Sequence, residues 1–265
     1  MIHPHTYIHP NARLAQNVKI DPFTVIHQDV EIGEGTWIGS NVTIMEGTRI
    51  GKNCRIFPGA VLGAIPQDLK FNGEKTTVEI GNNTTIREFV TINRGTSDRW
   101  KTTVGNDCLI MAYSHIAHDC MIGNNCVLSN NATLAGHVVM GDWAWIAGVS
   151  AVHQFVQIGQ HAYIAGGSLV SKDVPPYIKA IRNPLSYGGV NSVGLKRRGF
   201  ALEKINYILD IYRIIFSKGL NISQALEYIE EEIPASDERD EIVSFIRDSG
   251  RGIIKRYIKG AVEEE

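Results

Sequence analysis

The residues best suited to chemistry in this 265-residue chain are imidazoles. His115-Ile-Ala-His118-Asp119-Cys120 puts two histidines and an aspartate within six residues, and His137 and His153-Gln154 follow. A neutral imidazole near pH 7 can take a proton from a hydroxyl group and so act as a general base. No Gly-x-Ser-x-Gly elbow is present, and all four cysteines fall at one recurring place that faces inward. A direct transfer is therefore favoured over a covalent intermediate. Clustered histidines are also metal ligands, so zinc-dependent chemistry is the competing expectation.

What would hold these residues together is a repeat. From Ile8 to Val170, every sixth residue is aliphatic or Met at 25 of 28 places, the misses being Asp68, Glu74 and Asp98. A period of six belongs neither to a helix nor to an independent alternating strand; it marks a coil of hexapeptide repeats. Each hexad makes one short strand and one corner, and three hexads close a triangular coil. The fourth place reads Asn11, Asn17, Phe23, Asp29, Gly35, Asn41, Gly47, Asn53, Gly59. All but Phe23 are residues that enter the left-handed backbone region cheaply. The expected fold is mainly β: a left-handed parallel β-helix, an exception to the usual crossover hand.

Coils stack at about 4.8 Å, so residues 18 apart share a column. His118, Gly136 and Gln154 form one column, and Asp119, His137 and Phe155 form the next. With His115 and His153 nearby, four histidines gather on one edge. Gly136, one coil above His118, could offer an unhindered backbone N–H to an oxyanion. Cys54, Cys108, Cys120 and Cys126 share the fifth place with Ala12, Val18, Ala132 and Ala144. That predicts small, buried, reduced thiols, not a disulfide framework or a zinc site.

The pattern lapses over 65–79 and again over 98–103, which reads as two loops ejected from the coil. Loops on a rigid scaffold often carry function. Val174-Pro175-Pro176 should stop the coil. The expected organisation is a β-helix over 1–190 and a small C-terminal α-helical domain over 191–265. Leu202, Ile205, Ile208, Leu209, Tyr212 and Ile215-Phe216 predict one helix, Ser223 to Ile233 a second, and Ser236 the N-cap of a third. Ile253, Tyr257 and Ile258 suggest a last helix before the acidic Glu263-Glu264-Glu265. Lys196-Arg197-Arg198 would stand at a helix start, where cations are disfavoured, and this hints at an anionic partner.

A net charge of −2 provides no global field for nucleic acid. No secretory leader and no apolar stretch long enough for a bilayer is visible, so a cytoplasmic protein without stable membrane insertion is expected. An open stack of coils has flat faces to cover, so three-fold self-association is expected too.

Several longer motifs carry a resemblance. They are QDLK (67–70), VEIG (78–81), VTINRGT (90–96), HIAHDC (115–120), NNATLAGHV (130–138), AVHQF (151–155), DVPPY (173–177) and GVNSVGLKRRGF (189–200). Over essentially its whole length the chain resembles the UDP-N-acetylglucosamine O-acyltransferase family. The resemblance implies a homotrimer with sites between subunits. It implies transfer of an (R)-3-hydroxyacyl group from acyl carrier protein to the glucosamine 3-hydroxyl of UDP-N-acetylglucosamine, the first step of lipid A synthesis. The donor is the carrier's thioester; no cofactor and no metal is implied. His118 would be the general base and Gly136 the oxyanion donor. Asp68 and Lys70 would contact the sugar nucleotide or acyl group, and His115, His137, His153 and Gln154 would position substrate. Asn191, Arg197 and Arg198 would bind the nucleotide, and Gly166 would leave room for a long acyl chain. Asp119 receives no catalytic role. Asn93 stands where the family pattern often has His, which leaves N-acylation of a 3-amino sugar as the alternative acceptor chemistry.

Overall fold

The computed structural model describes residues 1–257. Strands of two to four residues alternate with turns from Tyr7–Ile8 to Leu169–Val170. Strands one coil apart pair in parallel, as Ile26 does with Ile44. They build sheets of 9, 8 and 11 strands, the three faces of a left-handed triangular prism. The first face begins at Tyr7–Ile8, the second at Arg13–Leu14 and the third at Lys19–Ile20. First-place side chains, the aliphatic residues of the repeat, fill the inside; Ile26, Ile44, Leu62, Ile92, Ile116 and Leu134 are fully buried. Each such residue contributes about 1.5–3 kcal/mol.

The fourth place takes a positive φ from Asn17 (57°) through His161 (57°). Phe23, Phe89, Tyr113, His137, Trp143, Val149 and Phe155 adopt it as readily as Asn or Gly. The coil therefore imposes the corner, and residue type only makes it cheaper. The third place leaves its N–H outside the strand ladder. Pro4, Pro10, Pro22 and Pro58 suit it because proline has no N–H. At the corner between second and third faces an Asn column satisfies it instead. Asn82 N–H donates to Asn106 Oδ1 (2.7 Å), Asn106 to Asn124 Oδ1 (2.9 Å) and Asn124 to Asp142 Oδ1 (2.7 Å).

The fifth place faces inward, and the four cysteines are buried and unbridged. They also bond across coils. Cys108, Cys120 and Cys126 direct their thiols at the carbonyls of Gly123, Ala135 and Gly141, each at 3.2 Å. Thr24 and Ser150 make the same bond with hydroxyls. Burial pushes the Cys120 thiol up to about 12, so it stays protonated.

Leu62 pairs with Ile92, thirty residues on, and Ile80 with Val104, twenty-four on. The two excursions thus add twelve and six residues to the eighteen of a plain coil, and the six-residue count resumes in phase. The first is shorter than its lapse in the pattern, and the second equals its lapse in length but is displaced from it, since strand pairing has resumed by Lys101. Thr77–Ile80 and Lys101–Val104 are four-residue strands that pair with each other on the second face. The buried Thr102 weakens the apolar signal there without breaking the strand.

A hairpin, Ile178–Ile181 and Ser186–Val190, extends the third face. Then follow α1 (Ser192–Arg197), α2 (Leu202–Ser217), α3 (Ile222–Glu232) and α4 (Asp237–Arg247). Ser236 caps α4 by accepting from Arg239 N–H (3.1 Å). The buried Tyr212 of α2 donates its hydroxyl to Pro176 O (2.6 Å) and ties the helices to the end of the coil. The expected last helix is replaced by Lys255–Arg256, a strand paired in parallel with Ser186 and Tyr187. The open edge of the hairpin offers unpaired backbone groups, a stronger attraction than a weak helical period. Ile258 and Glu263 to Glu265 lie outside the described residues. Among the described residues no helix is long and apolar enough to cross a membrane.

Candidate active site

His118 and Asp119 sit at the corner between the first and second faces. The strand His115–Ile116 leads into it, and the positive φ of Asp119 (59°) turns the chain. His118 Nδ1 lies 2.8 Å from Asp119 Oδ2. Asp119 is fully buried and accepts three further donors from the second excursion. These are Thr96 N–H (3.0 Å), Thr96 Oγ1 (2.7 Å) and Arg99 N–H (3.2 Å). Burial alone would push its carboxyl up; the bonds from His118, Thr96 and Arg99 outweigh it and hold the group below the usual carboxylate range. An ionised carboxylate only accepts, so Nδ1 of His118 carries a hydrogen, and in the neutral tautomer this selects, the lone pair is on Nε2.

Gly136 lies directly above. A Cβ on it would stand 2.7 Å from His118 Cε1 and 2.8 Å from Nε2, so only glycine lets the imidazole lie against this backbone. Among the described residues the Gly136 N–H has no hydrogen-bond partner. His137 meets the His118 ring edge-on at 5.1 Å and stacks on Phe155 at 4.4 Å. Its Nδ1 is 3.1 Å from Asp98 Oδ2, yet the approach is too oblique for a hydrogen bond, and the atom is an orphan donor or acceptor. Burial holds His137 neutral more firmly than a free imidazole, as it does His115, whose Nδ1 is 2.7 Å from Thr91 Oγ1.

His118, Asp119 and His137 bring ligand atoms within 4.8 Å of one another, the spacing of a metal site. Asp119, however, already accepts from four groups, which fills the capacity of a carboxylate. The trio is built as a hydrogen-bonded dyad with a neighbouring ring.

The column arithmetic is reproduced for His118, Gly136, Asp119, His137 and Phe155. His153 and Gln154 lie one coil further along the same edge and are exposed, with His153 Nδ1 donating to Gln154 O (3.1 Å). Asp68 and Lys70 are on the first excursion, where Asp68 Oδ1 accepts from Lys70 N–H (3.0 Å). Gly166 is elsewhere, at the corner between third and first faces, where a Cβ would touch Gly148 O at 3.2 Å.

Asn191, Arg197 and Arg198 belong to the corner between second and third faces. Asn191 caps α1, accepting from Gly194 N–H (3.2 Å) and donating Nδ2 to His161 O (3.0 Å). Lys196 and Arg197 occupy the last turn of α1, not its start. Cations are favourable at a helix C-terminus, so the electrostatic hint of an anionic partner falls away. Arg198 donates to His161 Nδ1 (3.0 Å) and covers Trp143 at 5.1 Å. Burial and the charge of Arg198 pull His161 down to about 4, so it accepts as a neutral ring. The residue that sequence reasoning passed over is Asp119; a sequence neighbour of His118 reaches its ring only because the corner folds the side chains together.

A family model described as bacterial transferase hexapeptide (six repeats) matches residues 29–64 and 101–136. Another, described as UDP N-acetylglucosamine O-acyltransferase, domain 2, matches 173–254. The acyl-[acyl-carrier-protein]–UDP-N-acetylglucosamine O-acyltransferase of a Janthinobacterium species is 48% identical, over 96% of this chain and 99% of its own. That of Xylella fastidiosa is 47% identical, over 96% and 98%. The crystal structure of a UDP-N-acetylglucosamine acyltransferase from Bacteroides fragilis matches with a TM-score of 0.94 at 51% identity, covering 96% of this chain and all of the other. Sequence and structure therefore agree across both the coil and the helices: this chain belongs to the UDP-N-acetylglucosamine O-acyltransferase family.

Proposed function

We propose that the protein transfers an (R)-3-hydroxyacyl group from acyl carrier protein to the glucosamine 3-hydroxyl of UDP-N-acetylglucosamine, the first step of lipid A synthesis, in the cytoplasm. The observation that carries this reading is the His118 ring, bound at Nδ1 by Asp119 and open at Nε2, lying against the free N–H of Gly136. Nε2 takes the proton of the 3-hydroxyl as its oxygen attacks the thioester carbonyl. The oxyanion is stabilised by the Gly136 N–H. Asp119 holds the ring and stabilises the imidazolium. Collapse breaks the C–S bond, and His118 returns the proton to the leaving thiolate. The chemistry needs neither cofactor nor metal.

The distribution of residues over corners supports a trimeric working form. The His118 corner and the Arg198 corner are different edges of one prism, so a substrate that touches both must bridge two copies. Asp68, Lys70, His115, His137, His153 and Gln154 would then position substrate beside His118. Gly166, Arg197 and Arg198 of a neighbour would complete the groove, with Asn191 holding their loop. Relatives named as O-acyltransferases favour the hydroxyl over an amine as acceptor. Asn93 fits this, since its Nδ2 donates to Ile65 O (3.0 Å) and secures the root of the first excursion.

The test is an assay of purified His118→Ala with (R)-3-hydroxyacyl-loaded acyl carrier protein and UDP-N-acetylglucosamine, read by product mass. Loss of a general base should lower kcat by about 10²–10⁴. A folded variant with near-full activity would falsify the assignment, and an amide product from a 3-amino sugar would move the acceptor.

A further inference from the structure

The hairpin, α2 and the strand Lys255–Arg256 surround a cavity of about 430 Å³ whose lining includes none of the residues assigned to substrate above. Its polar lining is Arg182, Arg213, Arg256, Tyr187, Ser217 and Tyr257. Other clefts mix charges of both signs. The cleft along the second face sets Arg13 and Arg49 against Glu31 and Glu79, and the one beside His137 sets Arg99 and Arg251 against Asp248. Among the described residues this cavity has three guanidinium groups and no carboxylate in its lining, in a chain whose net charge is −2. Asp210 pairs with Arg213 (2.7 Å) from outside the lining and offsets one of them. Like charges gathered this way repel, and an entering anion relieves the repulsion.

The arginines are also held in place. Arg256 Nη1 donates to Ser217 Oγ (3.0 Å). The Arg182 guanidinium covers Tyr257 at 4.1 Å, and its backbone sits in the left-handed region (φ 77°), uncommon for a residue with a side chain. A guanidinium has five N–H donors, so each anchored head keeps donors to spare. Burial pushes the Tyr187 hydroxyl up to about 12, which keeps it a donor at neutral pH. Gly189 (φ 93°) has open space where a Cβ would be, so a ligand can approach the backbone there.

We propose that this cavity binds a small phosphorylated solute, a phosphate or pyrophosphate ester, at a site separate from acyl transfer. Arginine forks match phosphate oxygens two at a time, and the volume suits a phosphate with a small organic group.

The probe is pyrophosphate, added to the whole protein with UDP-N-acetylglucosamine saturating and ionic strength held constant with chloride. The expected result is a saturable rise in Tm with pyrophosphate. Arg182→Ala/Arg256→Ala should abolish most of that rise and leave kcat for acyl transfer within about twofold. Because Arg256 belongs to a paired strand, the single exposed variant Arg182→Glu provides a second reading: about tenfold weaker pyrophosphate binding by calorimetry. A wild-type protein with no saturable response, or variants that bind as tightly as wild type, would overturn the proposal. So would a raised KM for acyl carrier protein without any pyrophosphate effect, since the arginines would then serve the donor.

Discussion

At the scale of single residues, the candidate site depends on how side chains are occupied. Asp119 is committed to four donors, and this commitment sets the tautomer of His118. His161 is the counterpart at the other corner: buried between Trp143 and Tyr177, neutral, and accepting from Arg198. Its folded pKa, about 4, lies below the free value of 6.5. Between these values the unfolded chain binds the proton and the folded one does not. The contribution to stability is therefore complete above pH 6.5 and is lost as pH falls towards 4, up to about 3 kcal/mol. Urea unfolding at pH 7 and pH 4.5 should show this loss in wild type and a smaller one in His161→Gln, which keeps an acceptor but does not titrate. Equal acid sensitivity of the two proteins would contradict the argument.

At the scale of elements, the second excursion acts as a clamp on Asp119. Thr96 supplies both its N–H and its hydroxyl, and Asp98 N–H donates back to Thr96 Oγ1 (3.2 Å), which braces the turn. Thr96→Val should lower kcat by about tenfold with KM little changed, and Thr96→Ser should restore it. The two losses should not add in a Thr96→Val/Asp119→Asn protein, because both act through one carboxylate. Additive losses would reduce Thr96 to a loop anchor. The clamp was not legible in the sequence. The six-residue count locates each residue on a coil and a corner, which was enough for His118 over Gly136 and for the inward cysteines. It is silent where the chain leaves the coil, so the excursions could be seen as lapses but not as contacts. Sequence also cannot say whether adjacent side chains bond, and so Asp119 was left aside. The strand Lys255–Arg256 escaped for a related reason: a two-residue strand has too few residues to show a period.

At the scale of the whole molecule, the corners matter most. If each site takes His118 from one chain and Arg198 from its neighbour, inactive chains can repair each other. Unfolding and refolding an equal mixture of His118→Ala and Arg198→Ala proteins should restore up to about a quarter of wild-type activity, from random assortment around a three-fold ring. Sites built within one chain would restore none. The prism itself also has two unlike ends. Its C-terminal end is sealed by the hairpin, Tyr212 and the helices, whereas at the other end Ile8 and Leu14 are only half-buried. A stack in which each coil touches only its neighbours loosens from where the covering is least. Amide hydrogen exchange should therefore run as a gradient, fastest in the strands up to Leu14 and slowest near Ile146 and Ile164. Uniform protection along the axis would argue against it. Seen this way, the helical cap gives the coil a direction: thermal opening starts at the bare end and has most of the stack to cross before it reaches the histidines.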